Sequence, residues 1–191
     1  LTSIRIPDGV TNISEYMCYG CSGLTSISIS DGVTSIGNWA FSYCTGLISI
    51  ELPDSLTSIG HYSFWNCNQI SGIVIGGYGL SFSALYDLFI MQNLTNITIA
   101  DGVTSIGDYA FQNCSGLASM SMPDNVTNID EFAFSDCIGL TSISIPDGVA
   151  SISDYVFSGC TGLTSISIPD SVTYIGTSAF SDCTGLTSIS I

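Results

Sequence analysis

The stretch Gly139–Thr161, GLTSISIPDGVASISDYVFSGCT, decides the fold. Leu140, Ile143 and Ile145 fall on one side of an extended chain and Ser142 and Ser144 on the other, the period-two alternation of a strand with one buried face. Pro146, Asp147 and Gly148 then end the strand, because proline cannot donate to a ladder and glycine tolerates turn conformations. Val149 and Ile152 bring the chain inward again for a second, shorter extended piece. The spacing of Val156, Phe157 and Cys160 predicts one helical or 3₁₀ turn with all three on the core side.

The same unit recurs along the chain. Cys21, Cys44 and Cys67, then Cys114, Cys137, Cys160 and Cys183, are spaced by 23 residues, with a gap of 47 between Cys67 and Cys114. Leu24, Leu47, Ile70, Leu94, Leu117, Leu140, Leu163 and Leu186 keep the same beat, as do Phe41, Phe64, Phe111, Phe134, Phe157 and Phe180. Residues 1–191 therefore read as a single array of eight 23-residue units, with an irregular 24-residue unit at about 70–93. A unit this short cannot cover its own apolar face, so neighbours must stack strand on parallel strand. The expected fold is a right-handed solenoid, mostly β, with a parallel β-sheet, short second strands and short helical or 3₁₀ turns.

Leu140–Cys160 fits the pattern L-x-x-I-x-I-P-x-x-V-x-x-I, followed within the array by A-F-x-x-C, and so resembles the leucine-rich repeat of BspA-like bacterial and protozoan surface proteins. The resemblance implies a leucine-rich repeat solenoid working outside the cell or on its surface, in an adhesive or antigenic role and without catalytic residues. Two departures stand out. Ile70–Asn93, ISGIVIGGYGLSFSALYDLFIMQN, lacks the Pro-Asp, Ala-Phe and Cys positions, and Cys18 stands where other units carry phenylalanine.

Composition narrows the partners. The 191 residues are 46% apolar with a mean hydropathy of +0.49, enough for one substantial core. Sixteen acids face a single cation, Arg5, giving a net charge of −15. Phosphate contacts need lysine and arginine in numbers, so nucleic acid and anionic membrane surfaces are excluded as partners. No apolar run approaches the ~18 residues of a spanning helix, and the first residues lack the layout of a signal peptide. An export address would lie outside this sequence.

Eight cysteines raise disulfide and metal readings. Stacked coils place equivalent side chains ~4.8 Å apart, whereas a disulfide wants Cβ atoms at ~3.5–4.5 Å. Cys44, Cys67, Cys114, Cys137, Cys160 and Cys183 are accordingly expected to form a buried column of unpaired thiols. Cys18 and Cys21 make a C-x-x-C, but no second pair and no neighbouring histidine complete a zinc set. For His61, the single histidine, no serine or cysteine can be singled out as a nucleophile, and it reads as a surface residue replacing the Asp or Asn of its repeat position. No enzyme activity and no cofactor are expected.

Three outward features could recognise a ligand. Asp8, Asp31, Asp54, Asp101, Asp124, Asp147 and Asp170 share one turn position, interrupted at Gly77. Their mutual repulsion, roughly 0.8 kcal/mol per neighbour at ~5 Å in water, is matched by what an aspartate gains from turn amides; a divalent cation such as calcium is the cofactor those oxygens would take. The strand face carries Ser26 and Ser28, Ser119 and Ser121, Ser142 and Ser144, Ser165 and Ser167, and Ser188 and Ser190, faintly similar to the hydroxyl rows of ice-binding solenoids. That face reads either as a solvated surface or as a binding one. Tyr78, Phe82, Tyr86 and Phe89 gather in the irregular unit, either as a binding spot or as filling for a degenerate coil. Sequons at Asn12, Asn93, Asn96, Asn113 and Asn125 would accept glycans on export.

Neither end of the array carries a cap. Leu1, Ile4 and Ile6 offer the same inward residues as Leu186, Ile189 and Ile191, so the expectation is either an excerpt of a longer surface stalk or a subunit stacking head to tail into a filament. The reading is an extracellular structural or adhesive repeat protein whose partners are copies of itself or host and surface proteins. The competing reading is a soluble recognition module for carbohydrate, protein or calcium.

Overall fold

The computed structural model describes residues 1–76 and 93–191. Within them the chain winds through two files of strands. The longer strands are β1 (Ser3–Arg5), β3 (Ser26–Ser28), β5 (Ser49–Leu52), β7 (Gly72–Ile75), β8 (Asn96–Ile99), β10 (Ser119–Ser121), β12 (Ser142–Ser144), β14 (Ser165–Ser167) and β16 (Ser188–Ser190). Two-residue strands form the second file: β2 (Asn12–Ile13), β4 (Ser35–Ile36), β6 (Ser58–Ile59), β9 (Ser105–Ile106), β11 (Asn128–Ile129), β13 (Ser151–Ile152) and β15 (Tyr174–Ile175). Every pairing is parallel, as in Ser3 with Ser26 and Ser165 with Ser188. Between β7 and β8 the offset is 24 residues, Ile73 opposite Ile97, and the inward face is kept. The molecule is a parallel β-solenoid.

The core runs through the middle of the coils. Leu140, Ile143, Ile145, Val149, Ile152, Phe157 and Cys160 are all buried, as the period-two and turn spacing predicts, and so are most of their equivalents. Phenylalanines stack from coil to coil, with ring centroids 5.4 Å apart for Phe111 and Phe134, 5.6 Å for Phe134 and Phe157 and 5.5 Å for Phe157 and Phe180. A half-buried strand therefore repeats its apolar residue once per coil, and burial of each depends on the coil beside it.

The expected helical or 3₁₀ turn is not there: among the described residues no helix forms, and its place is taken by consecutive hydrogen-bonded turns. In one coil the amides of Ala40, Ser42 and Cys44 bond the carbonyls of Gly37, Trp39 and Phe41 at 3.3, 3.2 and 3.2 Å. The intervening amides of Trp39, Phe41 and Tyr43 leave the coil and bond His61, Ser63 and Trp65 in the next one at 3.0, 2.8 and 2.7 Å. Trp39 and Tyr43 sit at φ of 58° and 60°, which no continuous right-handed helix permits. The turns therefore act as a third ladder between coils.

Candidate functional site

The strand face is a hydroxyl surface held in register. Ser119 lies opposite Ser142, Ser121 opposite Ser144, Ser144 opposite Ser167, and Ser165 and Ser167 opposite Ser188 and Ser190. All of these serines are exposed, because the alternating isoleucines or methionine take the inward positions. Along one margin, three depressions of about 430, 460 and 600 Å³ overlap into a trough. It runs from Thr98 and Asp101 past Ser121, Ser144 and Asp147 to Ser167, Asp170 and Ser190, with Pro123 and Pro169 in its wall. Elsewhere the face is broken by Arg5 opposite Ser28 and by Glu51 opposite Val74.

The aspartate column borders this trough. Asp8, Asp31, Asp54, Asp101, Asp124, Asp147 and Asp170 are all exposed. In the Pro-Asp coils each follows a proline whose carbonyl accepts the amide three residues on: Val10 to Pro7 at 3.0 Å, Val149 to Pro146 at 3.1 Å and Val172 to Pro169 at 3.0 Å. Asp therefore occupies the second position of a tight turn, which is its structural task. Among the described residues no three carboxylate, cysteine or histidine side chains converge in a way that would hold a metal ion. Arg5 reaches Asp8 at 3.9 Å, both fully at the surface.

Several organising residues escaped sequence reasoning. Threonine hydroxyls bond the carbonyl one coil back: Thr25 to Thr2 at 2.9 Å, Thr34 to Thr11 at 3.1 Å, Thr57 to Thr34 at 3.0 Å and Thr187 to Thr164 at 3.1 Å. A second polar column caps amides in the forward direction, with Asn38, Asp108 and Asp154 Oδ1 accepting from the amides of His61, Glu131 and Thr177 at 2.8, 3.0 and 2.7 Å. Around it Asp108, Asp130, Glu131 and Asp154 line a cleft of about 450 Å³ with Ser151, Ser153 and Tyr174. Burial, and next the charge of Asp108, raise the Asp130 carboxyl above its usual range.

Beside it runs an aromatic column. Tyr109, Phe132 and Tyr155 stack at 4.9 and 4.7 Å, nearly parallel, and Trp39 lies 4.6 Å from Tyr62. Each has φ near +57°, a left-handed conformation rare for aromatic residues. The signal was present as a tyrosine-rich position every 23 residues, but nothing in spacing alone assigns it to the outside of the coil.

The cysteines are free thiols, buried except for the half-buried Cys21. They do more than fill space. Cys44, Cys67, Cys137, Cys160 and Cys183 donate their thiol protons to carbonyls 26 residues earlier, at 3.0–3.2 Å. Burial pushes the Cys114 thiol up to about 12 and raises Cys137 and Cys160 as well.

Of the residues expected at the ends, Ile6 is buried, Ile4 and Leu186 are half-buried, and Leu1, Ile189 and Ile191 are exposed. Ile189 is 44% exposed where its register partner Ile166 is 4% exposed. Tyr78, Phe82, Tyr86 and Phe89 lie outside the described residues.

The family described as "BspA type Leucine rich repeat region (6 copies)" matches residues 1–81 and 85–191, nearly the whole chain. This chain belongs to the BspA-type leucine-rich repeat family. Three solved structures share its coil. A leucine-rich repeat protein of T. pallidum is 29% identical over 97% of this chain and 78% of its own, with a TM-score of 0.63. A leucine-rich repeat protein from Bacteroides ovatus is 31% identical over 99% of this chain and 55% of its own, with a TM-score of 0.68. A leucine-rich cell surface protein from Faecalibacterium prausnitzii is 32% identical over 100% of this chain and 59% of its own, with a TM-score of 0.50. The BspA-type coils seen here thus span only part of each of those proteins. No curated protein sequence matches the chain.

Proposed function

We propose that the chain is an extracellular adhesive module, a non-enzymatic repeat scaffold that presents its hydroxyl and carboxylate face to host or surface proteins. The observation that carries this reading is the trough along the strand face, where exposed serines in parallel register run beside exposed aspartates over successive coils. Such a surface offers many hydrogen bonds at a fixed spacing and no cation of its own. With a net charge of −15, the partner that fits is one bearing basic side chains along its contact, since complementary charge steers encounter and rejects acidic competitors. The description of the F. prausnitzii protein as a cell surface protein supports a position outside the cell.

Two measurements test the reading. Protease treatment of intact cells should remove the protein before any cytosolic marker is lost; a protein degraded only after lysis would refute the location. Binding of the purified chain to immobilised basic and acidic matrix proteins should favour the basic ones and weaken as salt is raised. Filling the trough with Ser144→Trp and Ser167→Trp should abolish that binding while leaving the fold intact. Undiminished binding by the double variant would remove the trough as the contact surface.

A further inference from the structure

Cys18 breaks the phenylalanine column. Every other described coil places phenylalanine at this position, three residues before the cysteine: Phe41, Phe64, Phe111, Phe134, Phe157 and Phe180 before Cys44, Cys67, Cys114, Cys137, Cys160 and Cys183. In each, a turn closes between the two, with the amide of Cys44 on Phe41 at 3.2 Å and that of Cys160 on Phe157 at 3.1 Å. The first coil keeps the turn, the amide of Cys21 bonding Cys18 at 3.1 Å, with Gly20 at φ 74° in the left-handed position before Cys21. Replacement of phenylalanine by cysteine therefore puts two thiols at the first and last positions of one tight turn.

That position has covalent consequences. The ends of a β-turn lie within ~7 Å, Cα to Cα, and disulfides span ~4.4–6.8 Å. The amide of Cys21 closing on the carbonyl of Cys18 at 3.1 Å fixes the two residues at that turn distance. Cys21 is half-buried and so reachable from solvent. The other six cysteines sit one to a coil and are buried, closed to an oxidant.

We propose that Cys18 and Cys21 form a disulfide under oxidising conditions, a modification site confined to the first coil. The reaction needs a disulfide oxidant such as oxidised glutathione. The Cys21 thiolate attacks one glutathione sulfur, forming a mixed disulfide and releasing one glutathione thiolate. The Cys18 thiolate then attacks the Cys21 sulfur, forming the internal bond and releasing the second. The two protons given up by the cysteines end on the two glutathione thiols, and the two electrons have reduced the oxidant. Burial raises the Cys18 thiol, so bond formation quickens as pH rises.

The test uses the full chain, reduced, freed of reductant and exposed to excess oxidised glutathione, then denatured and alkylated. Alkylatable thiols should fall from eight to six, and mass mapping should place the unalkylated pair on the peptide holding Cys18 and Cys21. Cys18→Ser and Cys21→Ser should each keep all seven remaining thiols in unbridged form, as alkylatable thiols or as a glutathione adduct. Eight thiols surviving in the parent chain would overturn the proposal, and so would a bridge mapped to Cys44 and Cys67.

Discussion

The thiol of Cys160 donates to the carbonyl of Phe134, 3.2 Å away and 26 residues back along the chain. Cys44, Cys67, Cys137, Cys160 and Cys183 thus each join their coil to an earlier one through a buried polar contact that an alkyl group cannot make. Cys160→Ala is expected to lose about 1–3 kcal/mol, the sum of a hydrogen bond of roughly 1 kcal/mol and a small cavity. Urea denaturation reads it, and a change below about 0.5 kcal/mol would make the bond incidental.

Phe134 has no exposed surface and lies between the rings of Phe111 and Phe157. Phe134→Ala should cost about 3–5 kcal/mol, since a rigid stack closes poorly over a missing ring. A loss of less than about 1 kcal/mol, measured in the same way, would contradict the packing described.

Alkali should weaken the fold through the thiol column. An unfolded cysteine gives up its proton near 9.0, whereas burial holds Cys114 to about 12 and pushes Cys137 and Cys160 up too. Between those values the folded chain keeps protons that the unfolded chain has released. Their stabilisation is whole below about 9 and drains away as pH climbs toward 12. Denaturation midpoints in reductant at rising pH should fall beyond that point, and Cys114→Ala should flatten the decline.

Asp130 carries the reverse lesson for a carboxylate. Burial and Asp108 raise it above the usual 3.8, so its favourable contribution belongs to acid solution and is lost as pH rises through the folded value. At neutral pH the ionised group opposes folding. Asp130→Asn should therefore raise the unfolding temperature at pH 7, with the gain vanishing in acid below the ordinary value of 3.8. A variant less stable at pH 7 would mean that the carboxylate serves as a needed acceptor.

Much of this was legible because one inward face per strand leaves a period-two trace, and 23-residue recurrence repeats it. Ile143 and Ile166 were readable as core for that reason. The turn is ambiguous in sequence because Val156, Phe157 and Cys160 suit one helical turn as well as two tight turns in succession. What separates them is the destination of the alternate amides, a property of the neighbouring coil. A cue existed at the second left-handed position, filled by Gly20, Asn66, Asn113, Asp136, Gly159 and Asp182, residue types that tolerate it, with Tyr43 the exception. Thr34 was illegible for another reason: its hydroxyl suits water or a carbonyl equally well, and only stacking chooses the carbonyl of Thr11.

The strands β3, β12, β14 and β16 all read Ser-Ile-Ser. A chain searching for its partner meets the same edge again two coils away, and a pairing that skips a turn satisfies the same ladder. Length alone therefore does not tell the molecule which coil it is in. Its odd residues do: Cys18 for phenylalanine, Arg5 and Glu51 for serine, Met120 for isoleucine and the 24-residue step between β7 and β8 act as page numbers in an otherwise uniform book. Smoothing them toward the consensus would leave each coil as stable as before and multiply the ways of assembling them wrongly.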